Sequence, residues 1–550
     1  MTRKLAIAIS GAVSLGSYEA GVMYEVLEAI SVHNKNLSEE DDRRVEIDVL
    51  TGASAGGMTA CMLAQHLLCD NGTLSDPYNN PLYNSWVREV DIFNLLQVSP
   101  ENQKYSLLDS NAVDKIGNAY IPDKPKEPHN LHPSAASKIQ VGIAMSNLNG
   151  FTYEVPIRSS PLSSTSIGYT RYKDQFVCVV NRLATGEVTL MEKSLELEEE
   201  TRENCWRDFR TTSWSEMREM AISSGAFPFA FRAKTISRIG AGKFLKRDSE
   251  RHKTVKGDID REGKFLYSDG GIFDNEPIGL SKSLVEQTDQ NNDSPNRYYL
   301  FVAPGKREAA KDPFLNRDDN LFATAIGIFG AIFGQSRFQD WSMDVLKPPV
   351  YSITSTDTKL IGDVFSAFAG FLEEKFRAYD YNIGRENARN DLMEGSLTNL
   401  LTYDLAKMPP IEWKVTGKKG QIKGKSVKSW EEAKTLLSPF AEVIIDEKKK
   451  ERNQLKELQN LMHEVDKDTR HEIAKQLTSR LDYLIDFIND EYLKPLDKKN
   501  DGSVLSKLGS WLKVIIRTWI GRPITKFVLW YFLETWLEKN ILRPPIPENR

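Results

Sequence analysis

The chain has 550 residues, 40% of them hydrophobic and 27% charged, and its 24 Phe, 19 Tyr, 10 Trp and 12 Met exclude a disordered or collagen-like polymer. That length exceeds what one core normally supports, so one large domain with additions, or two to three units, is expected. With 72 basic against 77 acidic side chains the net charge is −5, which argues against nucleic acid as a partner, and the four scattered cysteines (Cys61, Cys69, Cys178, Cys205) form no CxxC and no disulfide framework, making a reducing compartment the default.

In chain order, Leu5-Ala-Ile-Ala-Ile9 is a short continuous apolar run, the pattern of a strand buried on both faces. A glycine-containing turn from Ser10 to Ser17 leads to Gly21–Ile30, where Val22, Val26 and Ala29/Ile30 have helical spacing. Val45–Leu50 reads as a second strand and Met58–Leu68 as the helix that follows it. Strand, turn and helix, repeated, predict a parallel α/β sheet, with further strands over Ile139–Met145, Gln175–Val180 and Tyr298–Ala303. Asn34–Arg44, the proline-rich Asp109–Ser137, Glu196–Glu203 and Lys243–Lys264 read as solvated loops or small subdomains without chemistry. Beyond about residue 310, Leu321–Gly334 is an apolar helix punctuated by glycine, and Asp446–Asp490 has the periodicity of a helical hairpin or bundle. Val504–Leu542 is rich in Trp and basic residues.

Two uncharged stretches imitate membrane-directed segments. Arg3-Lys4 followed by Leu5 to Leu15 resembles an export signal, but Ser10-Gly11 and Ser14 interrupt it. Val49 to Cys69 is long enough to cross a bilayer, yet Thr51, Gly52, Ser54, Gly56, Gly57 and Thr59 cut through it. Neither reads as a membrane span, and a cytoplasmic location is the expectation.

The broken stretch carries chemistry instead. Gly52-Ala53-Ser54-Ala55-Gly56 is a Gly-x-Ser-x-Gly pentapeptide between an apparent strand and an apparent helix. A sharp turn there exposes Ser54 Oγ as a nucleophile, and the small residues at Gly52 and Gly56 permit the crowded backbone. An idle serine in a glycine-rich turn is the alternative. None of the seven histidines (His33, His66, His129, His132, His252, His463, His471) is well placed as its base, so a Ser-His-Asp triad has no support. An acid is better placed: Phe265-Leu-Tyr-Ser-Asp269-Gly270-Gly271 puts Asp269 at the end of an apparent strand, before two glycines that let the chain turn. As a base that carboxylate requires an apolar setting to raise its pKa, and Asp-Gly-Gly alone is an ordinary turn. Between the first strand and first helix, Ser10-Gly11-Ala12-Val13-Ser14-Leu15-Gly16 could aim amides at an oxyanion; a phosphate turn is the rival, without a Walker or Gly-x-Gly-x-x-Gly pattern to back it.

Together these motifs resemble the patatin-like phospholipase family. Ser223-Ser-Gly-Ala-Phe-Pro228, the continuation Asp269-Gly-Gly-Ile-Phe-Asp-Asn275-Glu-Pro277, and Asn147-Leu-Asn-Gly150 are also similar to family patterns. The resemblance covers roughly residues 4–305 and implies a three-layer α/β fold with a mostly parallel central sheet. It implies a Ser54–Asp269 dyad, an oxyanion hole from Gly11, Ala12 and Val13, and no metal or organic cofactor. One departure stands out. The family loop usually carries three consecutive glycines and then a cation, where this chain has Ala12, Val13 and Leu15.

The expected organisation is a catalytic domain over 1–310, an accessory helical segment over 311–400 that completes or covers the site, and an α-helical region over 401–550. Lys507–Lys526, with five basic residues, no acid and interleaved Trp511 and Trp519, makes the last region a candidate for peripheral membrane contact, with a helix packed on the catalytic domain as the alternative. Phe376–Asn387 reads as an ion-paired helix end, with a phosphate headgroup site as the alternative. The expected function is hydrolysis of acyl esters of phospholipids or related lipids. A catalytically weak or silent lipid- or partner-binding protein, prompted by the altered loop, and a soluble esterase or thioesterase are the alternatives. The sequence leaves headgroup preference and oligomeric state open.

Overall fold

In the computed structural model, β1 (Arg3–Ile9) is an interior strand of a ten-stranded sheet, and its residues Leu5 to Ile9 are buried on both faces. The structure describes residues 2–305 apart from 71, 127–129, 161–162, 198–203, 229, 239–262 and 290–295. It further describes 350–355, 360–363, 367–395, 397–413, 421–422, 425–426, 430–437, 445–446, 451–452, 454–465, 467–488 and 491. The apolar Leu321–Gly334 stretch and the Val504–Leu542 tail lie outside the described residues, as do His129, His252 and most of the charged insertion before Lys264.

The strands are β2 (Val45–Gly52), β3 (Ala135–Ser160), β4 (Ser163–Arg182), β5 (Val188–Leu197), β6 (Asn204–Thr211), β7 (Lys234–Arg238), β8 (Gly263–Ser268), β9 (Arg297–Ala303) and β10 (Val350–Thr354). Their order is β10-β9-β1-β2-β3-β4-β5-β6, with β8 on the end of β3 and β7 on β8. The five strands from the β10 edge inward, β10, β9, β1, β2 and β3, run parallel, while β4, β5, β6, β7 and β8 pair antiparallel. This is the expected α/β class with parallel central strands, extended by an antiparallel wing. The edge strand β10 belongs to the 311–400 stretch, which therefore contributes to the sheet as well as supplying helix.

Helices cover both faces: α1 (Gly16–Lys35), α2 (Ala55–Leu68), α3 (Ser110–Tyr120), α4 (Trp214–Ser224), α5 (Ile278–Glu286), α6 (Glu374–Met393), α7 (Trp430–Leu437), α8 (Gln454–Met462) and α9 (Lys467–Ile488). Alternate side chains of β1 enter different layers. Leu5, Ile7 and Ile9 pack in one apolar cluster with α1, α2 and α6, whereas Ala6 joins Val49, Leu280, Leu284 and Tyr299 on the α5 side. Two glycines let α1 and α6 touch through their backbones: a Cβ on Gly21 would lie 1.9 Å from the Tyr381 carbonyl oxygen, and one on Gly384 2.2 Å from that of Tyr18. At the same contact Glu25 is fully buried and accepts from Arg385 Nε at 3.1 Å and Arg389 Nε at 2.6 Å.

Three local readings are corrected. The first helix begins at Gly16, not Gly21. The Asp109–Ser137 excursion contains α3, because the Asp109 carboxylate caps the amide of Asn111 and starts a helix ahead of the prolines. Phe376–Asn387 is the middle of a 20-residue helix, not a helix end, and its Arg377, Asp380 and Arg385 are buried. The charged, periodic stretch before Asp490 folds as α8 and α9, in line with its pattern. No helix among the described residues is long and apolar enough to cross a membrane.

Candidate functional site

The carboxyl ends of the parallel strands β1 and β2 lie side by side, Ile9 beside Gly52, and ligands collect outside such ends in open α/β sheets. Chain leaving β2 enters α2 through Ser54, whose φ of 51° and ψ of −123° lie outside the ordinary regions for an L-residue. The turn is tight enough that a Cβ on Gly52 would lie 2.2 Å from the Gly56 carbonyl oxygen, and one on Gly56 2.4 Å from the carbonyl oxygens of Ile9 and Ser10. The small residues expected at 52 and 56 are thus required by contact with their own turn and with β1.

A buried serine on another helix holds this turn. The Ser54 amide donates to Ser224 Oγ at 2.9 Å, and that hydroxyl donates to the Ala144 carbonyl of β3 at 2.7 Å. Ser224 ends α4, which starts with a capping box between Ser213 and Glu216. Sequence reading placed Ser224 inside a family-like pattern without a role; its role here is to tie α2 to β3.

Asp269 arrives on the antiparallel β8, which pairs with β3 through Ser146–Ser268 and Asn147–Tyr267. Ser54 Oγ donates to Asp269 Oδ2 at 2.6 Å, and the Gly271 amide donates to Asp269 Oδ1 at 2.7 Å. Ser146 Oγ donates to the Asp269 carbonyl at 2.6 Å, fixing the backbone from below. Gly270 is crowded against β3, where a Cβ would lie 2.1 Å from the Ala144 carbonyl oxygen. Asp269 is 2% exposed. Burial raises its pKa to about 7, while the Ser54 hydroxyl and Gly271 amide pull it the other way. A carboxylate of this kind can take a proton near neutral pH.

The loop after β1 lies beside the pair: a Cβ on Gly11 would be 3.2 Å from Ser54 Cβ. Gly11 was expected to offer an oxyanion donor, but its amide donates to the Asn275 carbonyl at 3.0 Å. The Leu15 amide is likewise taken, by the Ala12 carbonyl at 2.9 Å. The amides of Ala12 and Val13 make no hydrogen bond among the described residues. Val13 has φ 52°, an uncommon conformation for a β-branched residue. Beneath the loop, Ser10 Oγ donates to Glu19 Oε1 at 2.9 Å, and burial holds the Glu19 carboxyl well above its usual range.

Three of the described histidines are engaged elsewhere: His66 with Thr73 and the Tyr120 carbonyl, His33 with the Arg43 carbonyl, His132 with Ser134. Among the described residues no group of three or more His, Cys, Asp or Glu could hold a metal ion.

An apolar cavity that opens to solvent, with room for the centre of a water-sized sphere over about 60 Å³, has Ser54 in its wall. Val13, Phe227 and Phe231 in its wall are half-buried, and Met62, Trp86 and Ile121 are buried. Its two polar wall groups are satisfied internally, Trp86 Nε1 by Thr59 Oγ1 and Ser85 Oγ by the Pro81 carbonyl. Walls of this kind select apolar ligands.

No family model matches this chain. It is similar to a curated sequence from Sinorhizobium fredii, named uncharacterized protein y4iI, with 23% identity over 465 residues, covering 71% of this chain and 64% of that one. The match therefore reaches slightly less than two thirds of the relative's length. Among solved structures it is similar to VipD from Legionella pneumophila, with 13% identity, 89% of this chain and 80% of that one covered, and a TM-score of 0.23.

Proposed function

We propose that this chain is a serine acyl hydrolase that cleaves acyl esters of lipids, with Ser54 as nucleophile and Asp269 as general base. The observation that carries this reading is the 2.6 Å hydrogen bond from Ser54 Oγ to a buried carboxylate at the mouth of an apolar cavity. Ser54 Oγ attacks the ester carbonyl carbon as its proton passes to Asp269 Oδ2. The carbonyl oxygen becomes an oxyanion, met by the amides of Ala12 and Val13. Collapse breaks the bond to the alcohol, which leaves with the proton from Asp269. Water then gives a proton to Asp269 and attacks the acyl-serine, and the tetrahedral intermediate releases a carboxylic acid and restores Ser54.

The cavity supports a fatty acyl group as the part retained on the enzyme. Its lining follows α2 from Ser54 to Met62, eight residues or roughly 12 Å at 1.5 Å per residue. An extended hydrocarbon advances about 1.25 Å per carbon at ordinary bond lengths and angles, so this depth accepts about ten carbons. With p-nitrophenyl esters of increasing chain length, kcat/KM is expected to rise roughly threefold per methylene and to level off near ten carbons. A flat profile removes the cavity from the reaction.

The reading as a whole is tested by treating the chain with an alkyl fluorophosphonate, mapping the adduct by peptide mass spectrometry, and analysing products from phospholipid vesicles. The expected result is one adduct on the peptide containing Ser54, together with release of free fatty acid. An unmodified Ser54 favours the silent binding protein, a reading to which Val13 in the loop lends weight; an adduct with hydrolysis of soluble short esters alone favours an esterase without a lipid role.

A further inference from the structure

The described residues contain three non-glycine positions with positive φ: Val13 at 52°, Ser54 at 51° and Ala367 at 67°. Strained backbone of this kind persists where the surroundings over-determine it, and it clusters at functional sites. Ser54 is the nucleophile's own turn. The other two converge on one side chain, Ser14, which follows Val13 directly. Ser14 Oγ donates to the Ala367 carbonyl and accepts the Gly370 amide at 3.2 Å.

The segment making these contacts is pressed onto the loop at two glycines. A Cβ on Gly370 would lie 2.6 Å from Ser14 Oγ, and one on Gly362 would lie 2.7 Å from Leu15 Cδ2. Helix α6 secures both places with charged groups one turn apart. Arg377 is fully buried and donates to the Gly370 and Phe371 carbonyls at 2.9 and 3.1 Å, and to the Val87 carbonyl at 2.7 Å. The buried Asp380 carboxyl accepts the Ile361 and Gly362 amides, both at 2.8 Å. Phe371 also lines the cavity beside Val13 and Ser54.

We infer that Ser14 is a positioning residue for oxyanion stabilisation, acting through a strap of residues 360–363 and 367–372 that α6 holds against the loop after β1. This rests on the acyl-transfer reading of Ser54. Rotation about the Val13 N–Cα bond turns the Ala12–Val13 peptide relative to the rest of the loop, so φ at Val13 sets where that amide points. A β-branched residue relaxes to negative φ unless something prevents it. The Ser14 clamp prevents it, doing by tertiary contact what glycine does by having no Cβ.

The test compares steady-state kinetics of wild type, Ser14→Ala and the double variant Val13→Gly/Ser14→Ala on one soluble ester, with a melting curve for each. Ser14→Ala is expected to lower kcat roughly 30- to 300-fold, the scale of a displaced oxyanion donor, with KM within about twofold. The double variant is expected to recover at least a tenth of the wild-type kcat, because a glycine in place of Val13 takes positive φ without a clamp. A Ser14→Ala kcat within threefold of wild type overturns the inference. So does a loss that Val13→Gly fails to restore while the melting temperature stays wild-type. Failure of the acyl-transfer reading looks different: wild-type turnover would then survive Ser54→Ala.

Discussion

Asp269→Asn is expected to lower kcat by about 10³- to 10⁴-fold, the scale on which a positioned base acts, while making the folded chain more stable above neutral pH. Both halves follow from one observation. Asp269 is 2% exposed, and its burial lifts the carboxyl pKa to about 7. Unfolded, an aspartate titrates near 3.9. Between about pH 4 and 7 the native state therefore holds a proton that the unfolded state has lost, and stability from this group falls as pH rises through that window. Past about pH 7 the native chain carries a buried carboxylate, at a cost on the order of 4 kcal/mol relative to the unfolded state. Activity has the opposite dependence, since the base works only when ionised: wild-type kcat/KM is expected to rise with pH through about 7. Asparagine keeps an oxygen for the Gly271 amide but neither ionises nor takes a proton. Denaturant melts of both proteins at pH 5, 7 and 9, beside ester kinetics, decide the matter. A variant within tenfold of wild-type kcat, or one whose stability falls with pH as steeply as wild type, contradicts the assignment.

Glu25→Gln is expected to destabilise the fold by about 3–5 kcal/mol, the usual consequence of leaving buried charge without its partner. Glu25 is fully buried between α1 and α6, where Arg385 and Arg389 both donate to it. A glutamine preserves shape while removing the negative charge, so two guanidinium groups face each other across a dry contact. The melting temperature is expected to fall by roughly 3–8 °C. If uncompensated charge is the cause, adding Arg385→Met and Arg389→Met to the variant recovers much of the loss, since apolar replacements of a buried ion cluster are often neutral. A Glu25→Gln chain that melts like wild type would mean that solvent reaches this contact.

Much of the centre of the fold was legible because it is made of local signals. Leu5–Ile9 is a continuous apolar run, Val45–Leu50 keeps four apolar residues around Glu46 and Asp48, and each is followed by a glycine-containing turn, as buried parallel strands often are. The meeting of Ser54 and Asp269 was legible only through a family-like combination of motifs, since nothing in either tripeptide encodes the pairing of β8 with β3. Three features escaped. Helix α3 was hidden by the prolines that follow it, and its wall of the cavity was lost with it. The Gly11 amide was expected to be open, but Asn275, far along the chain, supplies its acceptor. Arg377 and Asp380 look like surface charges in sequence, because burial of a charge depends on distant carbonyl and amide partners that no local pattern announces.

The working parts are also widely separated along the chain, and this has a temporal consequence during synthesis. The Gly-x-Ser-x-Gly turn belongs to the first strands made, but its carboxylate partner lies 215 residues later. At about 5–20 residues per second a ribosome needs roughly 10–40 s to bridge that gap, and the strap and α6 are made later still. A nascent or prematurely terminated chain therefore carries Ser54 without its Asp269 partner, and the complete Ser54–Asp269 arrangement with its strap forms only after most of the polypeptide exists.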